Sequence, residues 1–220
     1  MKVVIQCAGS KGPQAPQFYA SDGRAVAFVA RPEEAGAQDG VIFARPDDIS
    51  DDGRSWRELL WEYNQESPPN PLGLLPAYRL YSPRIYQDLS AHFGPNLLIL
   101  SAGWGLIPAS FLIPDYNITF SQEAPREARR YASDSYSDWA LIEPDPDGPI
   151  VFLGGKAYQK LFDQLTSHCY GQRVVVYNST RRPTLPGLVF KGFETRSKQN
   201  WHYKAGAALI AGDLTFAGAL

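Results

Sequence analysis

Cysteine, methionine and histidine are scarce in this sequence, whose 220 residues include two Cys, one Met and three His. Two cysteines, Cys7 and Cys169, are too few for a disulfide framework. Neither they nor the scattered histidines have the spacing of metal ligands, so we predict no metal site and no cofactor. The glycine-rich phosphate-binding fingerprints and the G-x-S-x-G element are also missing, which removes the commonest nucleotide-binding and hydrolase signatures.

Long apolar runs are missing as well. No stretch reaches the about 18 consecutive apolar residues that a membrane-spanning helix requires. The first residues, Met1–Ile5, show no charged leader followed by an apolar segment, so no signal peptide is expected. We therefore expect a cytoplasmic protein with no membrane contact. No obligate protein partner is evident from the sequence.

Aromatic and aliphatic residues are plentiful: 44% of the chain is hydrophobic and 13% is aromatic, with a formal net charge of −2. This composition excludes a disordered chain and allows a sizeable core. We expect one domain over residues 1–220. Within it, residues 31–54 are predicted to form a long loop, and the proline-rich residues 67–76 a connection.

Basic residues are concentrated near the carboxyl terminus. Residues 171–204 contain seven lysines and arginines against the single acid Glu194. A local basic surface suits a polyanionic partner even when the whole chain is nearly neutral. The alternative is an ordinary solvated surface.

Short apolar runs predict buried strands at residues 2–7, 96–101, 150–153 and 172–177, and 18–30 predicts a hairpin. Helices are predicted at 55–66, 82–93, 156–165 and 199–211. Apolar strands joined by helices indicate an α/β fold, with a mainly parallel central sheet and helices on both faces. Ligands of such sheets bind beyond the carboxyl ends of the strands. Residues 10–11, 101–103, 154–155 and 178–179 are therefore expected along one edge.

Several of these strand ends carry polar residues. Ser10 and Lys11 follow the first strand, where free backbone N–H groups and an ammonium suit an anion; the alternative is a tight turn with an exposed lysine. Farther along, Asp115, Asn117 and Thr119 alternate with apolar residues, which would place a carboxylate, an amide and a hydroxyl on one face. Asp115 is alternatively a turn cap.

Basic and aromatic residues alternate in the last third of the chain, a pattern that suits nucleic acid because cations hold phosphates and rings stack on bases. His202 is alternatively structural. The predicted DNA contacts are Arg181, Arg182, Arg196, Lys198, Asn200, Trp201 and His202.

Three ordered motifs resemble the YaaA-type superfamily. The residues that carry the resemblance are Cys7, Ser10 and Lys11; Leu100, Ser101, Ala102, Gly105 and Leu106; and Pro114, Asp115, Tyr116 and Thr119. The resemblance covers roughly the first 120 residues. It implies DNA binding and kinship with uracil-DNA-glycosylase-like folds, with roles in DNA repair or in defence against phage with modified DNA.

The leading hypothesis is a DNA glycosylase-like enzyme that hydrolyses the N-glycosidic bond of a damaged or modified base. Such chemistry requires the nucleotide to be flipped into a pocket. Asp115 and Asn117 are the predicted catalytic residues: Asp115 would orient the attacking water or stabilise the cationic sugar, and Asn117, with Thr119, would hydrogen-bond the base. The other predicted substrate contacts are Ser10, Lys11, Ser101, Gly103, Trp104, Tyr116 and Asn178; for Trp104, packing is the alternative to stacking on a ligand.

Two other functions remain open. One is a hydrolase or transferase of a free nucleoside or nucleotide, which the near-neutral charge suits. The other is a DNA-binding protein without catalysis. Salt dependence distinguishes DNA from a neutral nucleoside, because only DNA binding releases counterions. Formation of abasic sites distinguishes the enzyme from the non-catalytic protein.

Overall fold

The computed structural model describes residues 1–65, 69–144, 148–196 and 199–216. The strands in these ranges, β1 to β13 in chain order, are Lys2–Gln6, Phe18–Tyr19, Ala25–Val29, Val41–Ala44, Leu75–Pro76, Leu97–Ser101, Gly105–Pro108, Leu112–Ile113, Tyr116–Asn117, Trp139–Ala140, Ile150–Leu153, Arg173–Tyr177 and Val189–Gly192. The helices, α1 to α5, are Trp56–Gln65, Ala77–Leu80, Ile85–Phe93, Lys156–Leu165 and Trp201–Ala211.

The central sheet has seven strands in the order β10-β7-β6-β1-β11-β12-β13. Neighbours from β6 to β13 run parallel, whereas β7 folds back antiparallel on β6 and β10 runs parallel to β7. Val3, Val4 and Ile5 of β1 are completely buried, as strands covered on both faces require. The predicted α/β fold with a mainly parallel sheet is confirmed.

Helices cover the sheet on both faces. The crossovers from β1 to β6 and from β11 to β12 run in opposite directions along the sheet, so their right-handed connections place α3 and α4 on opposite faces. On one face, Phe162 of α4 stacks on Phe152 of β11 with ring centroids 4.8 Å apart. On the other, α3 packs against α5, where Gly206 lets the two helices approach closely at Ile85.

A smaller sheet lies beside the central one. The predicted hairpin is confirmed: β2 pairs antiparallel with β3 around a turn in which Gly23 has φ +87°. The predicted long loop over residues 31–54 contains a strand that was not predicted, β4 (Val41–Ala44), which pairs parallel with β3 on the side opposite β2 and β9. This strand was missed because its four apolar residues lie in a stretch rich in acids, glycines and prolines, with little periodicity.

Most other predicted elements are confirmed. The strand 150–153 and the helix 156–165 have the predicted bounds, and α1, α3 and α5 lie within the predicted helical ranges. Within the predicted connection 67–76, residues 67 and 68 lie outside the described residues, and β5 pairs with β8. In the described part of the chain, no helix has both the length and the apolar character needed to span a membrane.

Gly105 begins β7, which pairs with both β6 and β10, so its substitution tests whether β10 packs closely against this position. Its φ is +89°, and an added Cβ would overlap the backbone of Trp139, which pairs with it. We expect Gly105→Ala to lower the free energy of unfolding by about 3 kcal/mol, through backbone strain and overpacking. Equilibrium urea unfolding measures the loss. Gly36→Ala is the control, because no atom beyond its chain neighbours lies within 4 Å of its added Cβ. Equal stability of the two variants would contradict the close approach of Gly105 to the backbone of Trp139.

Candidate functional site

The parallel strands end at one edge of the central sheet, which we call the carboxyl edge. Ile5 of β1 is in register with both Ile99 of β6 and Leu153 of β11, and Leu153 in turn with Val176 of β12. The residues that follow these strands therefore leave the sheet at the same level. This confirms the expected gathering of strand ends, although the side chains there point in different directions.

One pocket of about 320 Å³ opens at this edge between the end of β1 and the first turns of α4 and α5. We call it the Cys7 pocket; its lining residues are Gln6, Cys7, Ala8, Gly9, Thr119, Ser121, Gly155, Lys156, Ala157, Tyr158, Asn200, His202 and Tyr203. Within it, Cys7 Sγ lies 3.3 Å from the Tyr158 hydroxyl. Burial raises the pKa of Tyr158 well above its ordinary value, so this phenol stays protonated. The described lining residues supply hydrogen-bonding groups and the cation of Lys156, and none of them is a carboxylate.

A second pocket, of about 600 Å³, adjoins the first and shares Gly155 and Lys156 with it. We call it the basic pocket; its lining residues are Gly154, Gly155, Lys156, Gln159, Lys160, Tyr177, Asn178, Ser179, Arg181, Arg182, Pro183, Thr184, Leu185 and Trp201. Four of these residues are cationic and none is acidic. The amino-terminal end of α4 also faces this region, and its backbone N–H groups add partial positive charge. The arrangement attracts anions.

Lys11 and Asp115 form an ion pair, and neither residue lines the Cys7 pocket. The Lys11 ammonium lies 3.7 Å from Asp115 Oδ1 and 4.5 Å from the centre of the Tyr116 ring. Burial lowers the pKa of Lys11, and the charge of Asp115 opposes that shift. The Asp115 side chain is 47% exposed and also accepts the Tyr116 N–H at 2.8 Å. The carboxylate is thus held beside a buried cation, at the surface and outside the residues that line the Cys7 pocket.

The hydroxyl of Ser101 is a structural group in this fold. Ser101 is completely buried; its Oγ donates to the Tyr116 hydroxyl at 2.9 Å and accepts the N–H groups of Gly103 and Trp104 at 3.2 and 3.1 Å. The Tyr116 hydroxyl in turn lies 2.7 Å from that of Tyr81, and burial raises the pKa of both phenols well above their ordinary values. This chain of neutral hydroxyls ties the end of β6 to β9. The predicted ligand contacts of Ser101 and Tyr116 are corrected accordingly: both hydroxyls are engaged inside the protein.

Trp104 and Gly103 are also packed within the protein. Trp104 is completely buried, stacks on Trp139 with centroids 5.9 Å apart and contacts Phe28 edge-on at 5.1 Å. The carbonyls of Gly103 and Trp104 accept the buried Arg57 guanidinium at 3.0 and 3.1 Å. Stacking of Trp104 on a ligand is therefore wrong, and packing, the alternative, holds. The hairpin turn after β6 directs the indole inward.

The alternation predicted around residue 115 is present in the burial pattern. Tyr116 and Ile118 are buried, whereas Asp115, Asn117 and Thr119 face outward. Only Thr119 of these three lines the Cys7 pocket. Asn117 is exposed at the end of β9, so the three polar groups share a face without converging on one pocket.

Most of the predicted contact residues from Asn178 to His202 are divided between the two pockets. Asn178, Arg181, Arg182 and Trp201 line the basic pocket, and Asn200 and His202 line the Cys7 pocket. Asn178 Nδ2 also donates to Thr195 Oγ1 at 2.5 Å. Ser10 and Arg196 are exposed and line neither pocket, and Lys198 lies outside the described residues.

Several lining residues were not predicted from the sequence. Lys156 and Lys160 supply half of the cations of the basic pocket, and Gln6, Cys7 and Tyr158 line the Cys7 pocket. Two lysines four residues apart, directly after Gly154-Gly155 at the start of a helix, were a usable signal. Tyr158 carried no such signal, because its place beside Cys7 depends on how α4 packs. In the described ranges, no three His, Cys, Asp or Glu side chains are grouped to hold a metal ion.

The hydroxyl chain of Ser101 yields a stability test. Ser101→Ala leaves two backbone N–H groups and the Tyr116 hydroxyl without their buried partner. We expect it to lower the free energy of unfolding by about 2 kcal/mol, measured by urea unfolding. The exposed Ser110→Ala is the matched control. A Ser101 variant as stable as that control would show that the hydroxyl is dispensable to the fold.

Comparisons with known proteins find no match to this chain: no family model, no curated protein and no solved structure is similar to it. The resemblance to the YaaA-type superfamily therefore stays a prediction.

Proposed function

We propose that the protein is a DNA glycosylase-like enzyme that holds a DNA strand in the basic pocket and hydrolyses the N-glycosidic bond of a base placed in the adjoining Cys7 pocket. The observation that carries this proposal is the junction of the two pockets at Gly155 and Lys156. A flipped nucleotide needs such a pair of sites, because its phosphates and its base differ in charge and hydrogen bonding.

The charge of the basic pocket supports a contact with phosphates. Lys156, Lys160, Arg181 and Arg182 line it without an acidic residue. The guanidinium groups suit bidentate contacts with phosphate oxygens, and the two lysines lie one helical turn apart. Tyr177 and Trp201 contribute aromatic surface to the same wall, as sites for nucleic-acid strands commonly do.

The composition of the Cys7 pocket supports a contact with a base. Its volume of about 320 Å³ lies at the small end of the range for ligand sites. Thr119, Asn200 and His202 offer hydrogen bonds, which suit the polar edge of a base. Because no carboxylate is among the described lining residues, the pocket offers a cationic group no charge partner there.

Asp115 is the carboxylate that we assign to the chemical step. Its partner Lys11 lies two residues after Gly9, which lines the Cys7 pocket. A carboxylate at that place orients water or stabilises the positive charge that the sugar develops as the base leaves. Because Asp115 is half-exposed and paired with Lys11, this role requires the bound strand to cover the ion pair.

A free nucleotide is the second candidate substrate, favoured by one observation. The start of α4, with Gly154 and Gly155, forms part of the basic pocket, and a helix amino terminus suits a single phosphate group. A free nucleotide would make fewer phosphate contacts than a DNA strand. Its binding would therefore depend less steeply on salt.

The salt dependence of binding distinguishes these candidates. With single-stranded DNA, the logarithm of the binding constant should fall linearly with the logarithm of salt concentration, and replacing Arg181 and Arg182 together by Gln should reduce the slope by about 1 to 2. Fluorescence anisotropy at several salt concentrations measures both. Arg84→Gln is the control, because Arg84 is exposed and lines neither pocket. An unchanged slope in the double variant would exclude the basic pocket as the phosphate site.

The role of Asp115 is tested by release of free base from genomic DNAs that differ in base modification. We expect Asp115→Asn to slow base release by about 100-fold or more, the size of a general acid–base contribution, with DNA affinity nearly unchanged. Asp88→Asn, on the exposed side of α3, is the matched control. Full base release by Asp115→Asn would remove this residue from the chemistry, and DNA binding without any abasic product from the unmodified protein would leave a non-catalytic DNA-binding protein.

A further inference from the structure

Gln6 occupies a junction at the end of β1. Its backbone carbonyl accepts the Tyr86 hydroxyl at 2.7 Å, which fixes its backbone. Its side-chain Oε1 accepts the backbone N–H of Gly155 at 2.6 Å, and its Nε2 lies 3.5 Å from Nε2 of His202. Gln6 thus connects the start of α4 to a histidine in the first turn of α5.

These contacts favour one tautomer of the neutral His202 ring. A backbone N–H can only donate, so Gly155 requires the oxygen of the Gln6 amide on its side. The amide NH₂ then faces His202 and is itself a donor. Nε2 of the imidazole must therefore accept, and the proton of the neutral ring resides on Nδ1.

The surroundings of His202 keep the ring neutral. Its residue is 6% exposed, and burial lowers its pKa from 6.5 to about 4. The other titratable groups that line the Cys7 pocket are Cys7, Lys156, Tyr158 and Tyr203. None of them is a carboxylate that would stabilise a protonated ring. In the described part of the chain, Nδ1 has no protein partner.

We propose that Gln6 holds His202 as a neutral, Nδ1-protonated imidazole that donates a hydrogen bond to an acceptor atom on the base in the Cys7 pocket, such as a ring carbonyl oxygen. His202 is then a specificity-determining residue, and Gln6 is its positioning residue. The proposal rests on the proposed function for the identity of the ligand. It assigns the predicted DNA contact of His202 to the base, because a neutral imidazole contributes no net charge to a phosphate contact.

The tautomer is measured directly by ¹⁵N NMR of the imidazole in the ligand-free protein. We expect a proton on Nδ1 and none on Nε2 at neutral pH, with no protonation of the ring until the pH falls well below 6. In Gln6→Glu, one carboxylate oxygen still accepts from Gly155, but the other can only accept, so a proton should appear on Nε2. A Nε2-protonated ring in the unmodified protein, or titration near the ordinary histidine pKa, would overturn the proposal.

The ligand contact is measured with two oligonucleotides of equal length. One is single-stranded DNA of mixed sequence; the other carries tetrahydrofuran residues in place of every nucleoside, so it has phosphates without bases. We expect the first to shift the His202 Nδ1 resonance and the second to leave it unchanged. Equal shifts with both would assign His202 to the backbone, and no shift with either, at concentrations that saturate the basic pocket, would remove it from the site.

Substitution of His202 separates hydrogen bonding from packing. Asn places an N–H donor near the position of Nδ1, whereas Phe keeps a ring without a donor. We expect His202→Phe to reduce kcat/KM for base release at least 10-fold, and His202→Asn to retain it within a few-fold, with DNA affinity similar in both. Similar losses in both variants would indicate a structural role. Because the NMR results do not require turnover, an absence of base release would contradict the proposed function while leaving the tautomer and the base contact testable.

Discussion

The hydrogen-bonded register of β1 with its two neighbours is the constraint on which the site depends. Val3 lies opposite both Leu97 of β6 and Val151 of β11, so the three strands end at one level. The loops and helices that follow them must begin side by side, and the Cys7 pocket lies where two of these connections diverge. A shift of one residue in this register would turn every side chain of β1 to the other face and separate Gln6 from Gly155.

The two pockets differ in charge: four cations line the basic pocket, and one of them, Lys156, also lines the Cys7 pocket. The whole chain has a formal net charge of −2, yet the lining of the basic pocket holds four cations and no acid. Several acids pair with arginines elsewhere, as Asp47 does with Arg57 and Asp134 with Arg31. A local field of this kind governs which ligand approaches, because opposite charges farther away are screened by salt.

The strands and helices that position this site were predicted better from the sequence than the side chains that line its pockets. Apolar runs located β1, β6, β11 and β12, since a buried strand needs little more than such a run, and α4 was predicted as the helix that follows the strand 150–153 and Gly154-Gly155. The directions of several side chains at the strand ends were not predicted correctly. Ser101 and Trp104 stand in a glycine-rich turn that resembles a ligand loop, but the fold-back of β7 turns both inward. Lys160 and Tyr158 reach the two pockets only because of how α4 lies on the sheet.

The most direct test is a structure of the protein with a short, non-hydrolysable single-stranded oligonucleotide. We expect phosphates within hydrogen-bonding distance of Lys156, Arg181 or Arg182, and one base seated between Thr119 and His202. An oligonucleotide bound away from the carboxyl edge, or lying across it with an empty Cys7 pocket, would contradict the claim that the two pockets form one nucleotide-binding site.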